Sequence, residues 1–88
     1  MKLIGIVKMD NANAAKLMIF QKSKNNVFVF GYIRLEDEYC SWDVHYTEIE
    51  EAFEMEEDYG ISKWDWKMLD NYDETKPDDY IGKIQKYK

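Results

Sequence analysis

Residues Thr47 to Ile61, TEIEEAFEMEEDYGI, are the stretch on which the fold turns. Thr47 and Glu50 have capping-box spacing, in which the hydroxyl accepts from one free backbone N–H and the carboxylate reaches back to another. Gly60 suits the left-handed position that ends a helix, and Ile61 can fold back on Met55 in a Schellman-type stop. The spacing predicts one helix from Glu48 to Tyr59. At about 100° per residue, Ile49, Ala52, Phe53, Met55 and Tyr59 gather on one arc, and Glu50, Glu51, Glu54, Glu57 and Asp58 take the other. The first arc belongs to a core and the second to solvent. Two features are at odds with a helix chosen for stability alone. Glu56 projects into the apolar arc, and Glu56, Glu57 and Asp58 crowd the carboxyl end, where the macrodipole disfavours each negative charge by roughly 0.3–1 kcal/mol. Acids so placed are either tolerated at a wetted rim or kept for a partner.

Upstream, Tyr39 to Tyr46 alternates as a strand, with Cys40, Trp42, Val44 and Tyr46 on one face and Ser41, Asp43 and His45 on the other. Glu36-Asp37-Glu38 is the turn before it. Val27 to Leu35 predicts the strongest strand of the chain, Val27, Val29, Gly31, Ile33 and Leu35 on one face and Phe28, Phe30, Tyr32 and Arg34 on the other. Apolar on both faces, it belongs inside the sheet. Ser23-Lys24-Asn25-Asn26 is a turn signal that makes a hairpin with a strand from Lys16 to Lys22. Leu3, Ile4, Ile6 and Val7 give a first strand, and Asn11 to Ala15 a loop, in preference to a helix from Asp10 through Phe20. The expected fold is α+β, an antiparallel four-stranded meander with the acidic amphipathic helix across one face.

Downstream, Ser62 and Asp65 repeat the capping spacing while Trp64, Trp66 and Met68 alternate, so this stretch is a short edge strand or a single turn. Asp70 to Pro77 reads as a polar connection. Tyr80, Ile81, Ile84 and Tyr87 then fall at helical spacing despite Gly82, which predicts a short C-terminal helix. No repeat, low-complexity tract or second domain interrupts the 88 residues, and the chain reads as one domain, 1–88.

Composition narrows the function classes. Hydrophobic residues are 45% and aromatic ones 16% of the chain, enough large rings for a small core to fold without disulfides. Cys40 is the only cysteine, so no intrachain disulfide can form and a reducing, cytoplasmic setting is expected. The apolar run in MKLIGIVKMD is too short for a signal peptide or membrane span. Formal net charge is −6 and unevenly spread. Residues 36–74 hold fifteen acids against Lys63 and Lys67, with no Lys or Arg between Arg34 and Lys63. Such a surface repels phosphate backbones and attracts basic proteins, which argues against direct nucleic-acid binding.

Cys40-Ser41-Trp42-Asp43, Tyr46, Glu50-Glu51-Ala52 and Tyr59-Gly60-Ile61, with Trp64 or Trp66 beyond, resemble a group of small bacterial proteins of uncharacterised function. The resemblance covers the middle third of the chain. It implies a bacterial, cytoplasmic, single-domain α+β protein and brings no catalytic residues.

Chemistry-bearing residues are few. Asp43 and His45, two apart on one strand face, have the geometry of an Asp-oriented general base, but nothing supplies a nucleophile. Cys40 is expected on the opposite face, in the core with Trp42 and Val44. One His and one Cys do not make a zinc site, and no calcium-loop pattern occurs, although Asp70, Asp73 and Glu74 could hold a weak cation. Trp64, Trp66, Tyr72 and Tyr80 either close the core or form a binding anchor beside the acids. No cofactor is expected. The leading expectation is a non-catalytic binding module that resembles an immunity or antitoxin protein in strategy. Glu50, Glu51, Glu54, Glu57, Asp58, Trp64 and Trp66 would then meet a basic, nucleic-acid-processing partner. The alternatives are a structural or regulatory subunit that forms homodimers through its sheet edge or aromatic cluster, and a small enzyme using Asp43 and His45.

Overall fold

In the computed structural model, which describes residues 1–10 and 12–68, the chain forms one antiparallel sheet with a short helical segment on one face. Strands β1 (Lys2–Ile6), β2 (Lys16–Ser23), β3 (Asn26–Tyr32) and β4 (Trp42–Tyr46) follow one another as a meander. A two-residue β5 (Lys67–Met68) joins the far side of β1, giving the order β4-β3-β2-β1-β5. The fold class is thus α+β, and the open choice at residues 62–68 resolves into both forms. Asp65 N–H closes a turn on the Ser62 carbonyl at 2.9 Å, and β5 follows. The expected C-terminal helix, the loop carboxylates Asp70, Asp73 and Glu74, and Tyr72 and Tyr80 lie outside the described residues.

Register sorts the side chains into two apolar faces, as the alternation in β3 requires. On one face Leu3, Ile19, Val29 and Val44 lie in a row across four strands, beside Gly5, Leu17, Gly31 and Trp42. The helical segment covers this face, and Leu17, Ile19, Val27, Val29, Ala52 and Ile61 form its buried centre. On the other face Lys2, Phe20, Phe28 and His45 make one row, and Ile4, Met18, Phe30 and Asp43 the next. Ile4, Met18, Phe20, Phe30 and Tyr32 form a second buried cluster there. The glycines of the first face have a packing role. A β-carbon on Gly31 would fall inside the Trp42 indole, and one on Gly5 would lie 2.9 Å from the Trp66 ring.

Four expectations are corrected. The helix is two five-residue pieces, α1 (Ile49–Phe53) and α2 (Met55–Tyr59), parted by Glu54, whose N–H bonds the Glu51 carbonyl at 3.3 Å in a tighter turn. The capping box does not form: the N-cap is Glu48 without a side-chain bond, and Thr47 Oγ1 donates instead to Glu51 Oε1 at 3.1 Å. Strand β3 stops at Tyr32, because Arg34 and Asp37 tie a turn through the Arg34 N–H and Nε at 3.1 and 3.0 Å, leaving Ile33 and Leu35 exposed. Strand β4 begins only at Trp42. Ser41 N–H donates to the Gly31 carbonyl at 2.8 Å while Gly31 is already aligned with Trp42, so two residues oppose one and the alternation slips as in a bulge. Cys40 therefore packs against the second cluster, on the Asp43 side, and not with Trp42.

The carboxyl end of the helical segment matches its expectation. Gly60 has φ 65° and ψ 33°, and Ile61, buried at the core, donates its N–H to the Glu56 carbonyl at 3.0 Å.

Candidate functional site

The helical segment carries the densest charge. Glu50, Glu54, Glu57 and Asp58 are exposed, Glu51 is half-buried, and Ala52 and Phe53 turn toward the sheet. Ion pairs among the described residues join Lys8 to Asp65 and Arg34 to Glu36 and Asp37, and none reaches an acid between Glu48 and Asp58. The field of these acids extends onto β4. Burial raises the Tyr46 phenol pKa, and Glu54, Glu51 and Asp58 raise it further by opposing a second negative charge nearby.

Glu56 is held differently from its neighbours. Its Oε2 accepts the Trp66 indole N–H at 2.6 Å in a half-buried setting, and Trp66 meets Phe53 edge-on at 6.1 Å. The acid that pointed into the apolar arc thus satisfies a tryptophan lying over the core. Trp64 has the opposite surroundings: it is 81% exposed, with the Lys63 ammonium 4.9 Å from its ring centre. The two tryptophans do not form one cluster. Lys8 N–H bonds the Tyr59 carbonyl at 3.1 Å, the Tyr59 hydroxyl donates to Asn13 Oδ1 at 2.5 Å, and Trp42 Nε1 donates to the Asn13 carbonyl at 3.1 Å. These bonds anchor the end of α2 to the β1–β2 loop and to β4, so the acidic face is presented on a braced element.

Asp43 and His45 lie exposed on the second sheet face. His45 stands edge-on to Phe28 at 5.0 Å, with Nε2 3.3 Å from Asn26 Oδ1, and no hydrogen bond joins it to Asp43. The Cys40 thiol pKa is raised by burial and by the Asp43 carboxylate, the reverse of an activated nucleophile. Among the described residues no three His, Cys, Asp or Glu side chains converge as metal ligands, and no helix is long and apolar enough to cross a membrane.

Two buried lysines, which sequence reasoning did not single out, border the second cluster. Lys2 and Lys16 place their ammonium groups 5.2 Å from the Phe20 and Tyr32 ring centres, and Lys16 Nζ donates to the Leu35 carbonyl at 2.5 Å. Burial lowers both pKa values, while Asp37, Glu36 and Glu38 partly offset the shift at Lys16. Their even spacing with Ile4, Met18 and Phe20 on the strand alternation was the signal available.

No family model matches the chain, and the comparisons with curated proteins and with solved structures found no significant likeness.

Proposed function

We propose that the chain is a non-catalytic, cytoplasmic protein-binding module whose acidic helical face occupies a cationic groove of a basic protein, as an immunity or antitoxin-like inhibitor of a nucleic-acid-processing enzyme would. The observation carrying this reading is that the acids from Glu48 to Asp58 have no described ion pair although the segment bearing them is braced to the β1–β2 loop and to β4. Carboxylates on a fixed surface can mimic phosphates and steer a basic partner from a distance. Glu50, Glu51, Glu54, Glu57 and Asp58 supply the charge. Trp64 supplies an exposed aromatic anchor next to them in sequence, and Trp66 supports the face from the core.

The test is capture of partners from the lysate of the encoding cell on immobilised chain, with salt and a duplex oligonucleotide as competitors. A basic nucleic-acid-binding protein should be retained at low salt and displaced by either competitor. The triple variant Glu54→Gln, Glu57→Gln, Asp58→Asn should associate about tenfold more slowly with that protein. Retention indifferent to salt, oligonucleotide and the variant would remove the acidic face from function.

A further inference from the structure

The two edges of the sheet differ in kind. On one edge the described part of β5 is Lys67–Met68, and Lys67 places there the kind of charge by which sheets ordinarily discourage pairing with other chains. β4 spans five residues without Lys, Arg or Pro, and among the described residues nothing pairs with its outer side. Its sequence, Trp42-Asp43-Val44-His45-Tyr46, is complementary to itself about the middle residue. Residues directly opposite in an antiparallel pair share a face and interact. When two copies pair about Val44, each Asp43 stands opposite His45 of the second copy, and each Trp42 opposite its Tyr46. Centring on Asp43 would set two carboxylates face to face, and centring on His45 two imidazoles. Val44 alone gives unlike partners at every flanking position.

We propose that β4 is a homodimer seam, joining two copies antiparallel about Val44 so that their five-stranded sheets become continuous. Carboxylate–imidazole pairs lie on the second face, where Asp43 and His45 are exposed, and aromatic pairs lie on the helical face. This dimer does not depend on the proposed basic partner, and it responds to salt in the opposite sense. Each chain carries −6, and Glu51 and Glu54 lie near Tyr46 at the seam, so screening favours association. A seam of one short strand pair is at the small, transient end of protein interfaces, and dimer forms only as concentration rises.

Sedimentation equilibrium of the full chain, from about 1 μM to about 1 mM and at low salt and about 0.5 M salt, tests the seam. A monomer–dimer equilibrium is expected, stronger at the higher salt. Asp43→Lys and His45→Asp should each weaken it about tenfold, because each replaces an unlike pair at both ends of the seam. The double variant Asp43→Lys, His45→Asp brings opposite charges together again and should restore parental association. Asp43 is exposed, so its variant folds; a thermal melt checks the His45 variant, which gives up the contact with Phe28. A chain monomeric at every concentration and salt would overturn the seam and leave the edge to another protein's strand. Single variants that dimerise like the parent, or a double variant as weak as the singles, would equally overturn it.

Discussion

Gly31 shows how a single residue ties this sheet together. It aligns with Trp42 across β3 and β4, and the indole lies where a side chain would stand. From that position Trp42 bonds Asn13 and meets Tyr59 at a ring distance of 6.1 Å, so strand, loop and helix end converge on one glycine. Gly31→Ala should therefore destabilise by about 2–3 kcal/mol, the cost of overpacking where the neighbour is a large ring held by its own hydrogen bond. Urea denaturation of variant and parent measures it, and a loss below about 0.5 kcal/mol would mean that Trp42 does not rest on Gly31. A glycine inside an otherwise bulky strand was a legible sign of close approach. What approached it was not legible, because alternation placed Trp42 on the correct face but carried Cys40 with it. The slip at Ser41, whose N–H bonds the Gly31 carbonyl ahead of the Gly31–Trp42 pair, separates the two, and such a slip leaves no trace in a hydrophobic pattern.

Among elements, the helical segment departs furthest from its sequence pattern, and the departure accounts for its acids. Split at Glu54 into two five-residue pieces, it has a weaker aligned dipole at its end than one twelve-residue helix would have, so acids near Tyr59 cost less than the macrodipole argument implied. The Tyr59 and Glu56 carbonyls there also have backbone donors, from Lys8 and Ile61. Glu56 and Glu57, neighbours of the same type, should behave in opposite ways. Glu56→Ala leaves the half-buried Trp66 indole N–H without its acceptor and should cost about 1–2 kcal/mol, whereas Glu57→Ala should stay within about 0.5 kcal/mol. Equal effects in chemical denaturation would show that the Trp66 bond is not formed in solution. The stop at Gly60 was readable because it is local: one residue with positive φ and one backbone bond. The break at Glu54 was not, since every residue from Ile49 to Tyr59 is compatible with a helix. The choice lies in how α1, with Ala52 buried beneath it, fits against β3 and β4, which is tertiary.

For the whole molecule, the charge map was fully legible, because charge needs no register, and it makes a prediction independent of any partner. Fifteen acids lie in residues 36–74, and the described ion pairs reach only Glu36, Asp37 and Asp65 among them. The two-faced sheet holds the helical acids close together over β3 and β4 whenever the chain is folded, whereas the unfolded chain can spread them apart. Folding therefore works against self-repulsion, and added salt should relieve it. The melting temperature should rise by several degrees between low salt and about 0.5 M sodium chloride, since for a domain of this size about 1 kcal/mol moves it by roughly 4–8 °C. General salt effects on apolar burial would act on any variant alike. The triple variant Glu54→Gln, Glu57→Gln, Asp58→Asn separates the two causes. It should melt higher than the parent at low salt, and the two should converge as salt rises. Parallel salt curves for variant and parent would place the repulsion elsewhere, among Glu36, Asp37 and Glu38 in the β3–β4 turn, and the acids of the helical face would then have no measurable cost to the fold.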